Sequence, residues 1–200
     1  SNSIQRRPVL ARHDHYDYLR KQAHPGLVVF TSGSSGQSKA AVHDFVRILQ
    51  KYKVPRKRFR TIPFLLFDHL GGISTLLYTL SNGGCLIPVK DRSPKSVIQA
   101  ISKHEVELLP VSPTFLNLTL MSDLLSKNDC FSSVKLITYG TEPMPESTLR
   151  EFSSRFPHIQ FQQTYGMTEF GTLRTKSESS DSLWMRMGGE GVQLRVADGL

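Results

Sequence analysis

"TSGSSGQSKA", residues 31–40, sets two glycines, a row of hydroxyl side chains and one lysine between two ordered-looking segments. "GLVVF" (26–30) precedes it as a short apolar run, and "AVHDFVRILQKY" (41–52) follows with helical spacing. Glycines let the backbone curl so that successive N–H groups face one anion. Ser and Thr hydroxyls add donors, a helix start adds a favourable dipole, and Lys39 adds a full positive charge. A flexible Gly/Ser linker is the alternative, but a linker has no need of Lys39 and does not usually join a buried strand to an amphipathic helix. The stretch therefore reads as a phosphate loop after a strand. Two better-known loops are excluded by spacing. Gly33 and Gly36 are separated by two residues and Lys39 precedes Ala40, which is not the P-loop pattern, and G-x-G-x-x-G does not occur here.

Working outward, β-rich runs alternate with helical ones. Expected strands are "GLVVFT" (26–31), "RTIPFLLF" (60–67), "CLIPV" (85–89), "VELLPVS" (106–112), "VKLITYG" (134–140) and "IQFQQTYG" (159–166). Expected helices, besides 41–52, are "GGISTLLYTLSN" (71–82), "SPKSVIQAISKH" (93–104), "PTFLNLTLMSDLLS" (113–126) and "PESTLREFSSRF" (145–156), with a further turn of helix around "DHYDYLRKQ" (14–22). Pro or Ser near the first turn punctuates several of them. This alternation predicts an α/β fold, a mostly parallel sheet with helices on both faces. Residues 1–24 read as a leading polar segment, 25–200 as one domain, 172–182 as a polar loop and "VQLRVADGL" (192–200) as a last strand.

Four unusual stretches each follow a predicted strand: 31–39, "FDHLGG" (67–72), "YGTEPMP" (139–145) and "YGMTEFG" (165–171). In a parallel sheet those strand ends share one edge, where open α/β folds bind ligands. Tyr165 and Gly166 offer an aromatic face and room for a close backbone approach, and Thr168 a hydroxyl. Glu169 is a hard oxygen ligand of the kind Mg²⁺ accepts beside phosphates, or else an acid favoured at a helix N-terminus. Gly140, Thr141 and Glu142 could line a purine or form a plain turn. His69 stands beside Asp68 and two glycines at the same edge and is the histidine singled out of seven. The other six, His43 among them, read as solvated or structural.

Composition narrows the classes. The 200 residues carry a net charge of +8 and 38% hydrophobic residues, enough for a core. No membrane span or signal segment is evident, and Cys85 and Cys130 are isolated, so a cytoplasmic protein without disulfide or zinc framework is expected. "RKRFR" (56–60) is a solvated turn or a binding patch, and no nucleic-acid-binding signature accompanies it.

Taken together, "TSGSSGQSKA", "FDHLGG", "YGTEPMP" and "YGMTE" resemble the ordered motifs of the adenylate-forming superfamily, from about residue 26 onward. That superfamily comprises acyl-CoA synthetases, peptide-synthetase adenylation domains and luciferases. The resemblance implies attack of a carboxylate on Mg-ATP to give acyl-AMP, then transfer to coenzyme A, a phosphopantetheine carrier protein or another acceptor. It implies that Thr31, Ser32, Gly33, Ser34, Ser35, Gly36 and Lys39 handle phosphates. Gly140, Thr141 and Glu142 would lie along the adenine, with Tyr165 stacked on it beside Gly166. Thr168 would meet phosphate, Glu169 would hold Mg²⁺, and His69 would stand near the entrance for carboxylate and ATP. The carboxylate pocket is expected around residues 64–73, 111–116 and 138–142. Ser38, Ala40 and Thr141 depart from the residues usual in the family (Pro, Gly, and Gly or Ala). The ribose-binding Thr-Gly-Asp motif, the hinge and the C-terminal lysine domain are not found, nor is the long portion that precedes the phosphate loop. The expectation is thus a central piece of a synthetase that turns over poorly alone, with a catalytically silent nucleotide-binding or scaffold domain as the competing class.

Overall fold

The computed structural model describes residues 13–31, 39–126 and 130–188, together with Gln193 and Arg195. The chain opens with α1 (Asp14–Lys21), β1 (Gly26–Thr31), β2 (Lys39–Asp44) and α2 (Phe45–Gln50). Next come β3 (Arg60–Thr61), α3 (Leu70–Ser81), β4 (Cys85–Leu86), α4 (Pro94–His104), β5 (Leu108–Val111) and α5 (Pro113–Leu120). After a 3₁₀ turn at Asp123–Ser126 follow β6 (Leu136–Tyr139), α6 (Glu146–Arg155) and β7 (Gln160–Gln163). The chain then forms β8 (Gly166–Met167), β9 (Gly171–Thr172), β10 (Arg174–Ser177) and β11 (Met185–Gly188).

Five of these strands make one parallel sheet in the order β4-β3-β5-β6-β7, as expected for an α/β fold. Its two faces can be read from alternation, because successive strand residues point to opposite sides. Leu109, Val111, Ile137, Tyr139 and Phe161 are buried in one core with residues of α4, α5 and α6. Phe131, Phe152 and Phe156 pack there as tilted or edge-on rings. Leu108, Pro110, Leu136, Thr138 and Gln162 face the other way, toward α3, and line a cavity. The helix starts follow their caps. Ser93 accepts from the Ser96 N–H with Pro94 at the first helical position, and Ser112 accepts from the Phe115 N–H with Pro113 in the same role.

Four expectations need correction. Residues 41–44, expected to open the helix of 41–52, are not helical: Lys39–Asp44 pairs antiparallel with Gly26–Thr31, in the register Thr31↔Lys39 to Gly26↔Asp44. The helix begins only at Phe45, where the Asp44 carboxylate accepts from the Arg47 N–H at 3.2 Å. β1 thus belongs to its own hairpin and not to the parallel sheet. Strands 60–67 and 85–89 shrink to Arg60–Thr61 and Cys85–Leu86, since Pro63 and Pro88 cannot donate to a ladder. The helix of 113–126 ends at Leu120 and is followed by the 3₁₀ turn.

The fourth correction is the polar "loop" 172–182, which contains β10, paired antiparallel with β11. Its hydroxyls serve the edge strand β7. The Phe161 N–H donates to Ser180 Oγ at 3.1 Å, the Gln163 N–H to Ser177 Oγ at 2.8 Å, and Thr175 Oγ1 donates to the Gln163 carbonyl at 2.6 Å. An edge that would otherwise present free backbone groups is covered by side chains. Among the described residues, no helix is long and apolar enough to cross a membrane. The last predicted strand falls almost wholly outside the described residues.

Candidate functional site

The carboxyl ends of β6 and β7 meet tightly. Beyond the ladder, the Thr164 N–H and hydroxyl both donate to the Tyr139 carbonyl, at 2.7 and 3.0 Å. A Cβ on Gly140 would lie 2.5 Å from Thr164 Oγ1 and 2.7 Å from the Thr164 carbonyl, so only glycine fits there. Thr141 follows with φ +74°, a left-handed conformation that a β-branched residue rarely adopts. Glu142 then reaches across to α5, accepting from the Thr114 N–H at 2.7 Å. This bond holds the Glu142 carboxyl below the usual carboxylate range. The strained residue is therefore pinned on both sides, by a glycine that cannot move and a glutamate tied to a helix N-terminus. Glu142 leaves its backbone, not its carboxylate, for a ligand at this edge. Thr141→Gly should stabilise the chain by about 1 kcal/mol, because relief of the left-handed strain outweighs the added freedom of the unfolded chain. Urea unfolding of the two proteins measures this.

Tyr165 presents a half-exposed ring whose centroid lies 6.3 Å from that of Phe170. Gly166–Met167 then pairs with Gly171–Thr172, and a turn at 168–170 puts Thr168 and the exposed Glu169 at its tip. The turn bearing Glu169 runs into the strand Gly171–Thr172 and not into a helix, so the reading as a helix-start acid falls away. Among the described residues, no group of three His, Cys, Asp or Glu side chains converges. A divalent ion on Glu169 would need phosphate oxygens to complete its shell, as Mg²⁺ commonly does.

His43 connects this turn to the hairpin. Its ring Nε2 lies 2.5 Å from the Thr168 carbonyl, which can only accept, so Nε2 carries the proton. Lys39 and Thr31 sit on the same two strands as a cross-strand pair, Lys39 exposed and Thr31 half-buried. Lys39 thus opens a strand, and the expected helix dipole is absent at that position. Ser32, Gly33, Ser34, Ser35 and Gly36 lie outside the described residues. Three of the four unusual stretches follow strands of the parallel sheet, and the fourth is joined to them through His43.

His69 is the cap residue of α3, with its ring exposed and 3.8 Å from the Asp68 carboxylate. The turn before it folds back over the first turn of α3. A Cβ on Gly72 would lie 1.9 Å from the Leu66 carbonyl oxygen, which explains the second of the paired glycines.

Beneath α3 runs a cavity of about 420 Å³. Gly71, Ser74, Thr75 and Tyr78 of α3 roof it over the outward residues of β5 and β6, with Gly140 and Thr164 at the carboxyl end of the sheet. The expected carboxylate pocket overlaps it at Leu65, Gly71, Val111, Thr138 and Gly140. Lys51 closes one side, donating to Thr172 Oγ1, which also lies 3.1 Å from Ser74 Oγ. Burial, aided by the charges of Arg56 and Arg174, lowers the Lys51 ammonium to about 8.

Between pH 8 and about 10 the unfolded chain keeps that proton while the folded chain releases it, so stability rises with pH there. Above pH 10 the buried Tyr52 and the Tyr78 hydroxyl, both raised, oppose the trend. Lys51→Met should abolish the rise and add about 2 kcal/mol at pH 7, after allowance for partial solvent screening. Denaturant titrations at pH 7 and 9.5 read both effects.

Neither His43 nor Lys51 carries a local sequence signal, since each gains its role from a partner more than a hundred positions away. Arg56, first of the basic run, lines the cavity, whereas Arg60 pairs with Glu105 at 3.2 Å.

The sequence profile described as "AMP-binding enzyme" matches residues 7–194. The chain is 25% identical over 177 residues to 4-coumarate--CoA ligase-like 6 of Arabidopsis thaliana, covering 82% of this chain and 31% of that protein. It thus spans about a third of the relative's length. The fold matches the amide bond synthetase McbA of Marinactinospora thermotolerans with a TM-score of 0.64 at 23% identity, over 73% of this chain and 30% of that one. It also matches o-succinylbenzoate CoA synthetase of Bacillus subtilis, solved with an acyl-adenylate intermediate, with a TM-score of 0.57 at 26% identity, over 71% and 29% of the two chains. The pinned strand ends and the Thr168–Glu169 turn therefore sit in a fold shared with adenylating enzymes, and the chain belongs to the AMP-binding enzyme family.

Proposed function

We propose that this chain is the nucleotide- and carboxylate-handling core of an enzyme that activates a carboxylic acid with ATP and passes the acyl group to a thiol. The observation that carries the reading is the His43 bond to the Thr168 carbonyl. It links the strands bearing Thr31 and Lys39 to the turn bearing Thr168 and Glu169, beside the Gly140–Thr164 strand ends.

A carboxylate oxygen of the substrate attacks the α-phosphorus, the bond to pyrophosphate breaks, and acyl-AMP forms. A thiolate then takes the acyl carbon and AMP leaves. Lys39 and the hydroxyls around it would balance the charge of the leaving phosphates, and Thr168 would donate to a phosphate oxygen. Gly140 and Thr141 would offer their backbone along the adenine edge, and Tyr165 its exposed face. Glu169 is the residue that would hold Mg²⁺, whose chemistry there is to neutralise charge on phosphate oxygens. His69 would guard the mouth of the cavity beneath α3, which would take the acyl group. Coenzyme A or a carrier-borne phosphopantetheine is the acceptor of the right chemistry, and a cytoplasmic setting suits both.

The test is ATP–pyrophosphate exchange by the intact protein, screened across aliphatic, aromatic and dicarboxylic acids with and without magnesium. Exchange that depends on both acid and magnesium supports the reading. ATP binding without exchange on any acid would instead assign a silent nucleotide-binding domain.

A further inference from the structure

Lys51 has no part in the chemistry proposed above, yet it is the one half-buried cation among the described residues that line the cavity beneath α3. Arg56 and Arg174, which also line it, are exposed, and no aspartate or glutamate does so among the described residues. The Lys51 ammonium has neutral company. It donates to Thr172 Oγ1 and stands 5.0 Å from the centroid of the Tyr52 ring. Among the described residues it enters no ion pair. A charged lysine has three donors, so two remain beyond the Thr172 bond. Withdrawing a cation from water into such a place costs free energy, and an anion placed beside it offsets that cost.

The contacts of the ammonium fix which end of the cavity it serves. Thr172 pairs with Gly166 across the short hairpin whose turn bears Thr168 and Glu169. The next N–H, that of Leu173, donates to the Tyr165 carbonyl at 3.0 Å. Thr172 Oγ1 also lies 3.1 Å from Ser74 Oγ, one turn into α3 from Gly71. Lys51 therefore stands at the carboxyl edge of the sheet, on the hairpin that carries the candidate phosphate and metal residues. Leu108, Pro110 and Leu136 give the cavity an apolar floor. An acid with its chain along that floor would bring its charged end out of water, and Lys51 is the side chain suited to meet it.

We infer that Lys51 binds the carboxylate of the acid at the edge of the sheet, with Thr172 holding its ammonium in place. The inference rests on the adenylation reading for the fate of that carboxylate, whereas recognition of the acid itself needs no nucleotide.

A lysine in this role leaves a mark on the pH dependence of binding. Burial, with the charges of Arg56 and Arg174, lowers its ammonium to about 8, so it is mostly charged at pH 7 and mostly neutral at pH 9. A bound carboxylate favours the charged form, so binding takes up a proton and weakens about tenfold from pH 7 to pH 9. The other titratable and charged groups around the cavity are Arg56, Arg174, Tyr52 and Tyr78. The arginines stay charged over that range, and both tyrosines, raised by burial, stay neutral.

The experiment is calorimetric titration of the intact protein without nucleotide, using hexanoate and benzoate, each against its uncharged amide. At pH 7 at least one acid is expected to bind tenfold or more tightly than its amide. That preference should shrink about tenfold at pH 9, and two buffers of different ionisation enthalpy at pH 8 should reveal proton uptake. Lys51→Met, with its melting transition checked, should erase the preference, the uptake and the pH dependence together. Neither acid preferred over its amide overturns the inference, as does a preference that persists in Lys51→Met or binding that is flat from pH 7 to pH 9. Pyrophosphate exchange separates the two readings. Lys51-dependent binding without exchange on any acid sinks adenylation and keeps the carboxylate site. Exchange by Lys51→Met with an unchanged KM for the acid does the reverse.

Discussion

Glu169→Gln is expected to slow magnesium-dependent pyrophosphate exchange by about 10²–10³-fold while the melting temperature stays within a degree or so of the parent. Glu169 is exposed at the tip of the turn between Gly166–Met167 and Gly171–Thr172, and the two short strands hold that turn without help from its side chain. The amide keeps the shape and removes the charge, so a hard divalent cation loses a ligand while folding loses almost nothing. Exchange measured against magnesium for both proteins should show the loss and a shift of the curve to higher metal. Unchanged exchange would remove Glu169 from the reaction. Parallel losses of exchange and of melting temperature would assign it to structure.

Gly72→Ala should be the most damaging single methyl that can be added to the chain near the site, at a cost of about 3 kcal/mol. Its Cβ would come within 1.9 Å of the Leu66 carbonyl oxygen, 2.5 Å of the Leu66 carbonyl carbon and 2.8 Å of the Leu65 carbonyl oxygen. All three are backbone atoms, which cannot step aside by changing a rotamer. The turn carrying Leu65 to His69 would have to lift off the first turn of α3, opening the cavity roof and moving His69 together. Gly83→Ala is the control, since at φ +64° nothing stands within 4 Å of the new methyl and the cost reduces to the backbone preference, about 1 kcal/mol. Urea unfolding of the three proteins orders these effects. A Gly72→Ala midpoint equal to that of Gly83→Ala would show that the turn yields easily.

Much of the fold was readable because local and tertiary preferences agree. β6 and β7 combine β-rich composition with alternation that matches their two faces, β5 is a short apolar run buried along its whole length, and α4 and α5 announce their starts with Ser-Pro. The misreadings arise where local pattern and long-range pairing disagree. "KAAVHD" is compatible with either period, and only the partner Gly26–Thr31 selects the strand. The hydroxyl-rich stretch 174–180 looks solvated, yet its side chains complete the edge of β7. Of the candidate site, the glycines and Thr168–Glu169 were legible because turns and close backbone approaches demand particular residue types. Lys51 was not, because a lysine at the end of a short helix gives no hint of the wall it will face.

The bond from His43 to the Thr168 carbonyl closes a stretch of 125 residues. Closing so long a loop costs entropy that only contacts already made can offset, and β5, β6 and β7 all lie inside it. Their parallel pairings have to shorten the effective distance before hairpin and turn can meet. The hairpin and the Thr168–Glu169 turn are thus joined late, on a scaffold that must first be complete. The speed at which a newly made chain becomes competent is then set by how fast its parallel sheet zips, not by how fast the hairpin forms.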